Sequence, residues 1–178
     1  AHVIFNHMAY DHDVIRFQYG GGFLSVKKDQ DKLSMNFPAV ISEKTEITDQ
    51  LILSLGKQPL EAFKARDLMV LFESEKAILG LKPDFNKLVK IDHLGVIVTE
   101  PGENVEFVSM FFAPNAGINE DPVTGSAHCM LIPFWANRLG KNSLKAQQLS
   151  KRVGNLSCEY KGDRVEIAGN SVTFMVGD

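Results

Sequence analysis

The stretch NEDPVTGSAHCMLIPFWANRLGK, from Asn119 to Lys141, decides how this chain is read. Its front half is a polar loop with a proline and a glycine. Its back half is a long apolar run closed by Arg138, Gly140 and Lys141. That order predicts a loop feeding a helix over about residues 125–140, starting near Gly125 or Ser126 and stopped by Gly140. The apolar residues from Ala127 to Trp135 fall all round the helix instead of along one stripe, the pattern of an enclosed helix. Pro133 is expected to bend it or free a carbonyl. An acid, two hydroxyls and a glycine (Asp121, Thr124, Ser126 and Gly125) stand where the helix opens. Unpaired N–H groups and the positive dipole end make an anion site there.

Working outward, Leu94 to Thr99 and Val105 to Phe112 read as strands on either side of a Pro101-Gly102 turn. Leu144 to Leu149, Asn155 to Tyr160 and Arg164 to Ala168 follow the helix as strands, with Gly162-Asp163 in a hairpin turn. A last strand is expected over Ser171 to Val176. Upstream, Leu68 to Glu73 is an apolar strand, and Asp49 to Leu55, Ser74 to Leu79 and Pro83 to Val89 read as short helices. Residues 39–48 are polar and place a domain boundary. Residues 1–10 look like the last turns of a helix. Val14 to Phe17, Phe23 to Val26 and Leu33 to Phe37 read as strands, the first two around the turn Gly20-Gly21-Gly22. Strands wrapped around an enclosed helix imply an α+β fold, a barrel of mostly antiparallel strands.

The chain also repeats itself. Gly22-Phe-Leu-Ser-Val followed by Asp31-Lys-Leu-Ser-Met35 matches Gly154-Asn-Leu-Ser-Cys followed by Asp163-Arg-Val-Glu-Ile167 at identical spacing. Ala1-His2 similarly echoes Ala127-His128. The second copy has strands and a polar loop before its helix, and the first has none. The expectation is therefore two pseudo-symmetric units: residues 1–40 as the back end of a first barrel domain, and residues 45–178 as a complete second one. A site between two such domains would be only half present.

Composition narrows the function classes. With 44% hydrophobic and 23% charged residues the chain has ample material for a core. Its net charge is −3 and its basic residues are scattered, so no nucleic-acid stripe forms. No apolar run reaches the length of a membrane span and no signal peptide is visible. Cys129 and Cys158 sit in apolar surroundings, which suits reduced core thiols of a cytoplasmic protein. The five histidines lack metal-ligand spacing, so no metal site is expected.

EDPVTGSAHC (Glu120 to Cys129) with PFWANRLGK (Pro133 to Lys141) closely resembles the signature of the phenazine-biosynthesis PhzF-like proteins. Arg66-Asp67-Leu68, Leu81-Lys82-Pro83-Asp84-Phe85, Gly95-Val96-Ile97-Val98-Thr99 and Gln148-Leu149-Ser150 continue the likeness along the chain. Two positions depart. The family has two glycines where this chain has Val153-Gly154, and a hydroxyl residue near Tyr19.

The resemblance implies a diaminopimelate-epimerase-like fold of two similar barrels, with substrate held between the two central-helix starts. It implies a cofactor-independent isomerase that removes and returns a proton on a small cyclic or amino-acid-like carboxylate. The family's founding substrate is a dihydro-hydroxyanthranilate. The expected assembly is a homodimer, with neither nucleic acid nor membrane as partner. The family's acidic base and a Gly-His pair would fall before Ala1.

On this reading Asp121 assists proton transfer and is the first catalytic candidate, with Ser126 beside it. Gly125 and Ser126 supply N–H groups for the substrate carboxylate, and Thr124 is either a ligand or the helix cap. His128, one turn into the helix, reads as a core histidine. Two further readings stay open: a thiol racemase using Cys129, and a catalytically incomplete remnant acting only through association.

Overall fold

The computed structural model describes residues 1–20 and 22–177. Eleven strands form one continuous sheet. Helix α1 (His2–His7) precedes a meander of β1 (Val14–Tyr19), β2 (Gly22–Asp29) and β3 (Lys32–Pro38). Of the glycine turn expected between β1 and β2, Gly21 lies outside the described residues. The chain continues through β4 (Glu43–Thr45), α2 (Asp49–Leu55), β5 (Glu61–Lys64), β6 (Leu68–Leu71), α3 (Glu75–Leu79) and α4 (Phe85–Leu88). Strands β7 (Val96–Pro101) and β8 (Phe107–Phe112) lead to the long helix α5 (Gly125–Leu139). A second meander closes the chain: β9 (Ser143–Gln148), β10 (Gly154–Tyr160) and β11 (Arg164–Asn170).

The sheet order is β1-β2-β3-β11-β10-β9-β8-β7-β6-β5-β4, so the two meanders meet edge to edge at β3 and β11. Their antiparallel ladder sets Met35 opposite Ile167, the two residues equated by the sequence repeat. From that pair a rung of apolar residues runs directly across six strands. It links Ile15 to Val26, Val26 to Met35, Met35 to Ile167, Ile167 to Cys158, and Cys158 to Leu144. Directly opposed residues share a sheet face, so α1 packs over one end of this rung and α5 over the other.

Helix α5 is enclosed. Ala127 to Pro133, Trp135 and Ala136 are buried. Around them lie Met69 and Leu71 of β6, Ile97 of β7, Phe107 and Phe111 of β8, and Leu144, Cys158 and Ile167 of β9–β11. Trp135 stacks on Phe107 with ring centroids 5.9 Å apart, and its indole N–H donates to Thr99 Oγ1 at 2.9 Å. Pro133 has no N–H for the carbonyl of Cys129 four residues earlier. That freed oxygen accepts the N–H of Val40 at 2.9 Å and ties the β3–β4 connection to the helix. Gly140 ends α5 in the left-handed conformation (φ 66°), which glycine adopts without steric cost.

The alternate residues of the same strands, including Val70, Val98 and Val108, face a second core beneath α2, α3 and α4. Thr48 caps α2 through Leu51 N–H, Ser74 caps α3 through Ala77 N–H, and Asp84 caps α4.

The structure corrects several expectations. Residues 171–177 form no strand: Val172 and Phe174 are exposed, and β11 already pairs on both edges, leaving no free ladder for them. Thr173 of this segment instead hydrogen-bonds His2 and His7 of α1. Two short strands, β4 and β5, lie where none was expected. The helix predicted at Pro83 to Val89 shrinks to one turn. Strand β7 begins two residues later than predicted and runs through Pro101, whose missing N–H is tolerated at a strand end.

Candidate active site

The first turn of α5 has Thr124 as its N-cap residue, and the Thr124 side chain makes no capping bond. The N–H groups of Gly125, Ser126 and Ala127 are the first-turn donors that a helix cannot satisfy internally. Thr124 is occupied otherwise. Its hydroxyl donates to Asp121 Oδ2, and its N–H donates to Gln148 Oε1 at 2.8 Å. The amide of Gln148, fully buried at the end of β9, also donates to the Asp121 carbonyl at 2.6 Å and to Thr124 Oγ1 at 3.1 Å. Asp121 N–H donates to the Phe111 carbonyl at 3.0 Å. One glutamine side chain thus holds both ends of the Asp121–Thr124 loop against the sheet. This loop sets the entry geometry of α5.

Two cavities reach that first turn through adjacent residues. The larger, about 840 Å³, has Val26, Met35 and Ile167 of the apolar rung in its floor, with Ala1 and His2 on one side and Gly125 on the other. It therefore lies between the starts of α1 and α5. Val153 and Gly154 form part of its rim. Val153 is held at φ 50°, a conformation rare for a β-branched residue. Gly154 is required for space: a Cβ there would lie 2.3 Å from Val123 Cγ2. The departure from the double glycine falls on the strained position, and the retained glycine falls on the crowded one.

The smaller cavity, about 310 Å³, is lined by Ser126, Cys129, Met130, Arg66, Asp67 and Phe37, among others. Arg66 Nη2 donates to Ser126 Oγ at 2.9 Å and to Asp67 Oδ2 at 2.6 Å, with Nε 3.1 Å from the same carboxylate oxygen.

The structure therefore separates the sequence candidates. Gly125 lines the larger cavity and Ser126 the smaller. Thr124 is buried beneath the turn as the cap position, and Asp121 is half-buried against it. Asp121 lines neither cavity. Gln148 and Arg66 were not singled out from the sequence. Both lie in motifs that carry the family likeness, Arg66-Asp67-Leu68 and Gln148-Leu149-Ser150, and that was the available signal.

His128 is completely buried, and its Nδ1 lies 2.8 Å from the Thr124 carbonyl, to which it donates. Burial pulls its imidazole down to about 4, only partly offset by that bond, so it is neutral and positions the helix start. Burial pushes the Cys129 thiol up, against the smaller opposite pull of Arg66 and Arg164. The Cys158 thiol is pushed up to about 12 by burial alone. Both cysteines are unpaired. Away from the site, Glu100 on β7 is buried with both carboxyl oxygens unpartnered. Desolvation, then the charges of Glu75 and Glu103, raise it to about 7. Among the described residues no cluster of His, Cys, Asp or Glu could hold a metal, and no helix is long and apolar enough to cross a membrane.

The model of the phenazine biosynthesis-like protein family (PhzC-PhzF) matches residues 1–177. An uncharacterized isomerase of Pseudomonas aeruginosa is 45% identical over 180 residues, covering 99% of this chain and 68% of that protein. A second uncharacterized isomerase of the same organism is 44% identical over 164 residues, covering 92% of this chain and 63% of its own length. The chain thus spans roughly two thirds of these relatives. The crystal structure of a PhzF-family protein from Enterococcus faecalis superimposes with a TM-score of 0.95 at 39% identity, covering 98% of this chain and 67% of that one. A hydroxyproline epimerase from Agrobacterium vitis shares the fold at a TM-score of 0.54 and 11% identity. The α+β, diaminopimelate-epimerase-like architecture expected from the signature is the one found. The chain belongs to the PhzC-PhzF family of phenazine biosynthesis-like proteins.

Proposed function

We propose that the protein is a cofactor-independent isomerase that moves a proton on a small cyclic or amino-acid-like carboxylate. The observation that carries this reading is the open first turn of α5, where Gly125 lines one cavity and Ser126 another. Such a turn binds a carboxylate and stabilises negative charge that develops beside it during proton removal. Asp121 is the acid nearest that turn in the loop, and its bond to Thr124 keeps it in place. On this reading Asp121 assists the transfer. The names of the relatives, isomerases in Pseudomonas aeruginosa, support the reaction class. The raised thiols of Cys129 and Cys158 favour a carboxyl-based mechanism over a thiol one, since the thiolate is the reactive form. A homodimer working in the cytoplasm on a small molecule belongs to the same proposal.

The test is solvent-deuterium incorporation into a panel of cyclic and amino-acid-like carboxylates by the complete protein. Asp121→Asn, which keeps an acceptor for Thr124, is expected to slow exchange by about 10²-fold or more, the low end for a general acid–base group. Exchange at the wild-type rate would remove Asp121 from the mechanism.

A further inference from the structure

We propose that Val153 is a specificity-determining residue of the larger cavity. With Val123 it forms an apolar lip that favours acids with a plain hydrocarbon ring or branch over acids that carry a polar atom in that part. The inference rests on the proposed isomerase reading and adds to it the chemistry of the substrate's carbon skeleton.

Three observations carry it. The first is strain. Val153 is held at φ 50°, where a β-branched side chain costs free energy. The turn that imposes this is closed twice on Ser150, whose carbonyl accepts the Val153 N–H at 3.1 Å and whose Oγ accepts the Arg152 N–H at 3.3 Å. Among the described residues Ala9 and Gln30 are the other non-glycine residues at positive φ, and neither is β-branched or lines this cavity. The second observation is that packing gives no reason for a valine here. Val153 belongs to none of the three apolar cores, and 44% of it is exposed. Glycine would meet the same turn without strain. The third is place. Val153 lines the cavity together with Val123 and Gly125. Val123 is itself half exposed and packs on Gly154, the residue that follows Val153. Two half-exposed valines thus meet at one cavity rim.

The lining sets the ligand chemistry. Phe17, Leu24, Val26 and Met35 give the cavity an apolar wall. Its polar side chains are already hydrogen-bonded within the protein: Asn155 Oδ1 accepts from Gln147, Asn170 donates to the Asp31 carbonyl, and His2 meets Thr173. A hydrocarbon skeleton gains by leaving water for such a wall, whereas an ether or hydroxyl oxygen carried into it loses its hydrogen bonds to water. The Val153 methyls extend that apolar surface at the rim, and glycine in their place would leave backbone and water there.

The experiment is an NMR titration of the complete protein with cyclohexanecarboxylate and with tetrahydropyran-4-carboxylate, following the amides of Gly125 and Gly154. The two acids differ by one ring methylene replaced by oxygen. Cyclohexanecarboxylate is expected to bind about tenfold more tightly. Val153→Gly should reduce that preference to about threefold or less by weakening cyclohexanecarboxylate, and Val123→Ala should act in the same direction. The melting temperature of Val153→Gly should equal or exceed that of the wild type, because the strain is relieved. Equal affinities in the wild type, no binding of either acid, or a preference unaltered by Val153→Gly overturns the proposal. A lowered melting temperature with an unaltered preference would make Val153 a turn residue only. Solvent-deuterium exchange into the wider acid panel, measured alongside, keeps the two readings apart. Exchange without the ring preference removes the lip and leaves the isomerase, whereas a preference lost in Val153→Gly without any exchange leaves the lip and removes the isomerase.

Discussion

The two meanders of this protein, β1–β3 and β9–β11, share the register of their second and third strands and have very different surroundings. In each, the first strand places a buried aliphatic residue on the rung, Ile15 in one and Leu144 in the other, opposite Val26 and Cys158 respectively. The second meander lies against α5 within a core of nineteen buried residues. The first covers only Phe5, Ile15 and Val26 fully, with α1 above them. Tyr19 and Phe23 at its turn are exposed. Register therefore does not depend on enclosure. It follows from alternation and from the position of the second turn, common to both copies, whereas the depth of the core depends on what each sheet face receives.

Removing the largest buried side chain on each side tests this most strongly. Trp135→Ala deletes the ring stacked on Phe107 and the donor to Thr99, and should cost about 3–5 kcal/mol in urea denaturation. Phe5→Ala, in the shallow core beneath α1, should cost less than half of that. Equal losses would mean that the first meander is held as firmly as the second.

The next contrast is in pH. His128 is neutral in the folded core, with its imidazole near 4 against an ordinary value of 6.5. The unfolded chain therefore binds the extra proton. Stability is full above about pH 6.5 and falls by about 3 kcal/mol as pH drops to about 4. His128→Asn, whose amide can keep the bond to the Thr124 carbonyl, should flatten that slope. Glu100 has the opposite sign: raised to about 7, it loses stability as pH climbs from about 4.5 to about 7. The difference between variant and wild type at each pH isolates His128. An unchanged profile would show that the helix start is reached by solvent.

The smallest effect separates two equivalent glycines. Gly154→Ala collides with Val123 and should cost about 1–3 kcal/mol, much of it recovered by adding Val123→Ala. Gly22, its counterpart, has open space around it but a φ of 125°. Gly22→Ala should cost about 1 kcal/mol or more through the backbone, with no recovery from Val123→Ala. Recovery in both cases, or in neither, would break the distinction between a glycine kept for space and one kept for conformation.

Much of the fold was legible because its strongest signals are local. Helix α5 showed its ends and its enclosure through Gly125, Gly140 and an apolar run with no polar face. The strands of both meanders showed their alternation, and the repeat showed their equivalence. Strands β4 and β5 were invisible because Glu43-Lys-Thr45 and Glu61-Ala-Phe-Lys64 are short and largely polar. They exist by pairing outward from β6, which no local pattern records. The final segment misled in the reverse direction: Ser171 to Val176 alternates like a strand, yet β11 has no edge left to offer it.

By itself the sequence determined which atoms would need partners: the first-turn N–H groups of α5, the Cys129 carbonyl released by Pro133, and the acid at Asp121. Only the tertiary structure decided which partners they meet. Val40 takes the Cys129 carbonyl, Gln148 binds the Asp121–Thr124 loop from 24 residues beyond Thr124, and Arg66 reaches Ser126 from 60 residues before it. The physical reason is that propensity and periodicity act over a few residues, while a partner is chosen by how sheet and helix pack. That packing brings together groups that have no relation along the chain.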